Sequence, residues 1–501
     1  MSARRILPPL ALTLLAFGLF ALSMLIGGCT LGPNFTRPAS PAGGYAHAAP
    51  AATPMRSLSY GGDIADDWYR LFQSAKLDQL VRTALERNPS LEAARHGLVA
   101  AQYELQAVSG ARFPQLDASG QIGRAHINGS FLYAPVNTIN QTGNRFGLGP
   151  ALAYNIDLFG GTRRAIESQQ AATAAVRDQV LNTYVTLVDQ VVLTAFDYAA
   201  AGAQIEVTQA LVDELQSQFD LTHALEDAGK ITRSDTLQAQ TQLENLRATL
   251  PALRQQRDAY RNALAQLTGQ TPDEFQAPDL SLHDFALPGQ LPLSLSSTLV
   301  RQRPDVLAAE ESLHQASAAI GVAEAARLPA FSISAQYAQQ TSALSEFFTR
   351  PGGIWSAGLN ATAPLFHGGA LAARQHEAEA RYRQSLASYH ATVLGAFVEV
   401  ANALQALGHD DESYGAHSVA LAAARDDRDL ALAQYRAGKY TELQVLTAEQ
   451  QYQQAALTQV QADVQRFTDT AVLFRALGGG WWNSPHDPAA LAAVSPGDKH
   501  E

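Results

Sequence analysis

Cysteine is nearly absent: the 501-residue chain has one, Cys29. An intrachain disulfide is therefore excluded, as are metal sites built from paired thiolates. Charge is scarce too. Only 16% of residues are charged, and 35 basic against 47 acidic side chains leave a net −12. With no cluster of Lys or Arg, the chain lacks the electrostatic footprint of a nucleic-acid binder. Long apolar runs are limited to one, Leu10 to Ile26. If the chain beyond it crosses a bilayer, β-strands must do the crossing. Catalytic motifs are missing as well: there is no HExxH, Walker A loop or GxGxxG. The thirteen histidines are scattered, at sites such as His96, His223, His314 and His367, and read as surface or helix-packing residues. The composition points away from an enzyme, with no catalytic residue, no metal site and no cofactor expected.

What is present starts at the amino terminus. Arg4 and Arg5 precede the apolar run, which ends in Ile26-Gly27-Gly28-Cys29. A basic start, an apolar core and small closing residues read as a signal peptide over 1–28. Small residues directly before the only cysteine resemble the bacterial lipobox, in which the cysteine becomes the lipid-modified first residue. The resemblance implies a covalent lipid on Cys29. Thr30, in place of Asp, implies sorting to the outer membrane. Residues 29–75 then form a lipid-anchored, extended segment.

The rest is written twice. Pro89, in Arg87-Asn88-Pro89-Ser90-Leu91, matches Pro304, in Gln302-Arg303-Pro304-Asp305-Val306, at an offset of 215. Phe113-Pro114 matches Leu328-Pro329 at the same offset. Leu158-Phe159 with Gly160-Gly161 matches Leu365-Phe366 with Gly368-Gly369, now at 207. Ala228-Gly229-Lys230 matches Ala437-Gly438-Lys439 at 209. The eight-residue surplus falls between Pro114 and Phe159 and belongs in a loop. Repeat 1 covers 76–280 and repeat 2 covers 281–480, with a tail over 481–501.

Each copy reads as a helix, a β-hairpin and a long helical hairpin. In the first, a helix over Leu77 to Gly110 leads to strands within 116–158; in the second, the strands fall within 330–366. Phe146, Leu148, Leu152, Tyr154 and Ile156 sit at even positions, while Arg145, Asn155 and Asp157 sit at odd ones. That alternation makes strands with one apolar and one polar face. The second copy repeats it with Phe331, Ile333, Ala335 and Tyr337, then Trp355, Ala357, Leu359 and Ala361. Polar loops, Asn128 to Asn144 and Thr341 to Gly353, join the strands. Next come helical hairpins over 162–268 and 370–476. Thr162 to Glu226 contains no proline and one glycine, Gly202, a helix on the order of 100 Å long. The chain turns at Gly229-Lys230 and returns over Asp235 to Leu267; the second copy turns at Gly438-Lys439. Pro304 with Asp305 reads as a helix start. Trp481-Trp482 reads either as an aromatic membrane anchor or as packing on the helices.

Four strands cannot close a barrel, and an open edge in lipid leaves backbone groups unpaired at several kcal/mol each. An oligomer must therefore close it. These residues carry a family resemblance. Cys29-Thr30-Leu31-Gly32-Pro33-Asn34-Phe35-Thr36-Arg37-Pro38 resembles the start of the outer-membrane efflux factor lipoproteins, the NodT/OprM branch of the TolC family. Leu299-Val300-Arg301-Gln302-Arg303-Pro304-Asp305-Val306 resembles their internal signature, continued by Ala309-Glu310, Ile320-Gly321-Val322-Ala323 and Leu328-Pro329. Phe474-Arg475-Ala476-Leu477-Gly478-Gly479-Gly480-Trp481 is similar to their ending. The resemblance implies a mostly α-helical homotrimer with a twelve-stranded transmembrane barrel and an α-barrel. It implies docking on a periplasmic adaptor and an inner-membrane transporter, and passive conduction of small molecules out of the cell. A type I secretion duct and a metal-ion efflux channel are the alternatives.

A tunnel open at its periplasmic end would leak. By the geometry of long hairpins, the turns at Gly229, Lys230, Gly438 and Lys439 mark that end. Arg233 and Asp235 in the first copy, and Glu442, Gln444 and Thr447 in the second, are the expected aperture residues. Relatives often carry acidic residues where Gln444 and Thr447 stand, so the resemblance implies a less cation-selective aperture here. Asp235, the repeat equivalent of Gln444, reads equally as a helix cap beside Ser234.

Overall fold

The computed structural model describes residues 30–39, 57–128, 140–293, 296–348 and 352–484. Cys29, the signal peptide, the tip of the first loop at 129–139 and the tail beyond 484 lie outside these residues. The chain divides into two compact units: Met1–Arg37 with Ala100–Ala174 and Glu310–Ser388, and Pro38–Val99 with Ala175–Ala309 and Tyr389–Glu501.

The first unit is built around one sheet. Strands β2 (Gln115–Asn128), β3 (Asn140–Ile156), β5 (Ala330–Thr341) and β6 (Gly353–Thr362) are antiparallel neighbours in that order. The register puts Leu116 opposite Leu152, Ile122 opposite Phe146, Tyr154 opposite Ile333, and Tyr337 opposite Trp355. One face therefore gathers the large apolar residues of all four strands, giving way to Arg124, His126 and Gln339 toward the loop end. The other carries Asp117, Gln121, Asn155, Ser332, Ser334, Gln336, Ser356 and Asn360. The apolar face is uncovered in the single chain: Ile122 is 82% and Trp355 75% exposed. Pro150 lies inside β3, a central strand that ordinarily excludes proline. The pairing with β5 runs through Leu148, skips Gly149 and Pro150, and resumes at Ala151 in the same register. The missing N–H is thus accommodated by two omitted pairs.

Helices α1 (Ala75–Arg87) and α2 (Pro89–Ser109) divide what the periodicity reads as one helix. Pro89 opens the second, and the Asn88 side chain accepts from the N–H groups of Ser90 and Leu91. Helix α3 (Gly161–Asp227) is 67 residues long, and the chain returns as α4 (Arg233–Arg247) and α5 (Leu250–Leu267), parted where Pro251 enters. Strand β4 (Gln290–Leu293) and helices α6 (Ser296–Gln302) and α7 (Pro304–Ala325) lead to the second hairpin, α8 (Ala370–Arg436, 67 residues) and α9 (Glu442–Ala476, 35 residues). One 18-residue window of α8 is apolar enough to cross a membrane by length and composition alone, with mean hydropathy 1.3. Tyr389, Val393, Val400 and Leu404 on that helix belong to the second unit's core.

That core is aromatic at its centre: Trp68 stacks on Phe474 at 5.1 Å, and Phe72 meets Phe196 edge-on at 4.9 Å. Two short strands, β1 (Ser57–Tyr60) and β4, pair in parallel beside it, an element too short for periodicity to reveal. Arg303 is buried and reaches Asp305, Glu399 and the carbonyl of Ala476. The two terminal tryptophans pack rather than project: Trp481 donates to the carbonyl of Gln302, and Trp482 to Asp63.

Candidate channel aperture

The two helix turns close with the same bonds. Gly229 (φ +65°) donates to the carbonyl of Glu226 and Lys230 to that of Leu225; Gly438 (φ +74°) donates to Tyr435 and Lys439 to Gln434. Both glycines occupy the left-handed region that ends a helix at low steric cost. The returning helices begin alike. Thr232 caps α4 and Asp235 accepts from its N–H at 2.9 Å; Thr441 caps α9 and Gln444 accepts from its N–H at 2.8 Å.

These bonds sort the five expected aperture residues. Asp235 and Gln444 are engaged in capping boxes. Glu442 is buried at 6% exposure and takes a hydrogen bond of 2.8 Å from Gln218. Arg233 is exposed at the start of α4. Only Thr447 lines the cavity that the structure does show here, a groove of about 710 Å³ between α4 and α9. Its walls include Gln238, Gln242 and Asn245 from α4 and Gln450 and Gln454 from α9, and no lining side chain is charged. Leu237 and Leu443, both well exposed, also line it. The sequence expectation took the polar and charged residues closest to the turns and did not include these carboxamides. Their signal was the glutamine density of 238–242 and 450–454.

Behind the groove lies an ionic cluster. Arg428 of α8 meets Glu214 of α3 at 3.1 Å and Asp429 at 2.8 Å, lies 4.1 Å over the ring of Tyr452, and stands 4.0 Å from Glu449 of α9. Burial, and next the charge of Glu214, push the Glu449 carboxyl up to about 7. Burial and Glu442 likewise push the Tyr435 phenol up. The arrangement offers a neutral hydrogen-bonding wall braced by charges on the far side of α9.

Comparison with known proteins decides what the wall belongs to. The chain matches the family described as outer membrane efflux protein over residues 80–270 and 295–479. The chain belongs to the outer membrane efflux protein family. It is 30% identical over 486 residues to outer membrane protein OprJ of Pseudomonas aeruginosa, covering 93% of this chain and 96% of that protein. It is 27% identical over 475 residues to the probable efflux pump outer membrane protein TtgC of Pseudomonas putida, covering 94% and 97%. The solved outer-membrane channel OprN superposes with a TM-score of 0.82 at 29% identity, covering 90% of this chain and all of that one. This efflux protein therefore joins a family of TolC-type channels and is the outer-membrane part of an efflux pump, reaching into the periplasm.

Proposed function

We propose that the chain is one subunit of a lipid-anchored homotrimeric tunnel that passively conducts small molecules from an inner-membrane transporter and its periplasmic adaptor. The sheet carries this reading. Among the described residues, strands β2 and β6 are paired on their inner edges alone, the apolar face is exposed in the single chain, and the exposed apolar residues run across every strand. Three copies would supply twelve strands, an even number within the range of outer-membrane barrels. Strand β6 of one copy would run antiparallel to β2 of the next, removing both edges.

On this reading the lipid sits on Cys29, the turns at Gly229-Lys230 and Gly438-Lys439 form the periplasmic tips, and the aperture is the α4–α9 groove with Thr447 and its carboxamide neighbours. Arg233 stands beside it as an exposed charge next to the lining residue Ser234. Mild solubilisation of the full-length protein should give heat-sensitive trimers on a gel, and planar bilayers should show discrete single-channel steps. A monomer without conductance would overturn the proposal. Increased sensitivity of a deletion strain to a panel of small toxic compounds would name the cargo class.

A further inference from the structure

The segment after Cys29 is not a free leash. Arg164, 2% exposed in the first turn of α3, spends its guanidinium on it: Nε donates to the carbonyl of Leu31 at 2.8 Å, and Nη2 to the carbonyl of Gly32 at 3.0 Å and to Oδ1 of Asn34 at 2.9 Å. Nη1 is held by Glu167 at 2.7 Å, so the fork is fixed from behind. The N–H of Leu31 donates to the carbonyl of Phe159, just past the end of β3. Backbones touch as well. A Cβ on Gly32 would lie 2.5 Å from the Cα of Gly321, and one on Gly160 would lie 2.8 Å from the Cα of Thr30. Further along, Phe35 stacks on His314 at 4.4 Å, and Arg37 pairs with buried Glu310.

Thr30 therefore rests on Gly160, and the residue before it is about 3.8 Å away. Ile156, Phe331 and Ala361 form one row across the sheet at that end. Just beyond the row lie Leu365 (94% exposed) and Phe366 (89% exposed), with Phe113 and Leu116 at the same end of β2. Two strand spacings separate β3 from β6, about 10 Å, less than the roughly 15 Å of an acyl chain reaching the bilayer centre. Resting on the reading that Cys29 is acylated, we propose that Arg164 clamps residues 30–37 as a docked strap, so that the acyl chains on Cys29 lie against the apolar rim of Phe113, Leu116, Leu365 and Phe366. The lipid is then a fixed part of the sheet's end and the rim's partner, not a tether of variable reach.

The test uses the full-length protein in outer membranes. Hydrogen exchange should show the Leu31 amide protected, and Arg164→Ala should speed its exchange roughly tenfold to a hundredfold. Gly32→Ala, which alters only the strap, should do the same and serves if the Arg164 variant fails to assemble. A photoactivatable palmitate fed to the cells should cross-link to peptides holding residues 113–116 and 365–366, and both variants should scatter those cross-links. Unchanged exchange in both variants, or wild-type cross-links away from the rim, would overturn the clamp. Absence of palmitate from the protein would overturn the lipid reading instead, while the exchange measurement still judges the strap.

Discussion

The tips of the two helical hairpins share a backbone and differ in how they are closed. Beneath the first turn, Leu211, Val212 and Leu215 of α3 pack against Leu243, Leu246 and Leu250 on the return, an apolar cluster. Beneath the second, the apolar cluster shrinks to Ala431, Val445 and Ala448, and charge takes over: partly buried Arg428 and buried Glu449 stand where the 209-residue offset puts Phe219 and Gln240 in the first copy, and buried Glu442 stands where it puts exposed Arg233. The turn itself needs only a left-handed glycine, a threonine cap and an acceptor three residues on, so the side chains around it were free to diverge. One tip is thus held by a force that ignores pH, the other by groups that titrate.

The sharpest way to break that contrast is to cut each cluster. Leu243→Ala, at a site 2% exposed, should cost about 4 kcal/mol at any pH. Arg428→Ala should cost roughly 3 kcal/mol, because Glu449 stays buried beside Glu214 without its cation. Adding Glu449→Gln should recover most of the second loss and none of the first. Thermal unfolding of the solubilised protein measures all three. Equal losses with no recovery would erase the distinction between the tips.

A pH series sharpens it further. Burial lifts the Glu449 carboxyl from 4.5 to about 7, and the Asp189 carboxyl, beside Arg475, from 3.8 to about 7. A carboxyl raised on folding holds more protons folded than unfolded between its two values. Its contribution is therefore most favourable below about 4, shrinks as pH rises, and is spent once pH passes about 7. The wild type should melt at a higher temperature at pH 5 than at pH 8. Glu449→Gln should remove a share of that slope worth roughly 2–3 kcal/mol, and Leu243→Ala should leave the slope intact. A slope unaffected by Glu449→Gln would place the titration elsewhere.

What could be read in advance follows the same division. The long helices were legible because proline is absent from 162–226 and because apolar residues recur at three and four. The strand faces were legible because alternation survives Pro150. Less visible were features set by partners distant in sequence. The break at Asn88 depends on a side chain turning back to cap α2, and the β1–β4 pairing joins two four-residue strands. The groove was missed because Gln242 or Gln450 looks like any helix-surface residue until α4 and α9 are laid side by side. At the turns, the capping bonds of Asp235 and Gln444 follow from their place three residues after a threonine, whereas the burial of Glu442 depends on Gln218 and α3, distant in sequence.

The smallest expected effect on stability tests whether those capping residues also act on ions. Asp235 and Gln444 make the same bond to the threonine before them, so Asp235→Asn and Gln444→Asp each keep an acceptor in place. Either should change stability by under about 0.5 kcal/mol. Their electrostatic consequences have opposite sign. In a trimer, Gln444→Asp adds three negative charges at the start of α9, next to the groove whose own lining is uncharged, while Asp235→Asn removes three from α4. Under a salt gradient, the reversal potential should move toward cation selectivity for the first and away from it for the second. A shift with Gln444→Asp alone would mean that α9 faces the passing ions and that the charge of Asp235 serves only its helix.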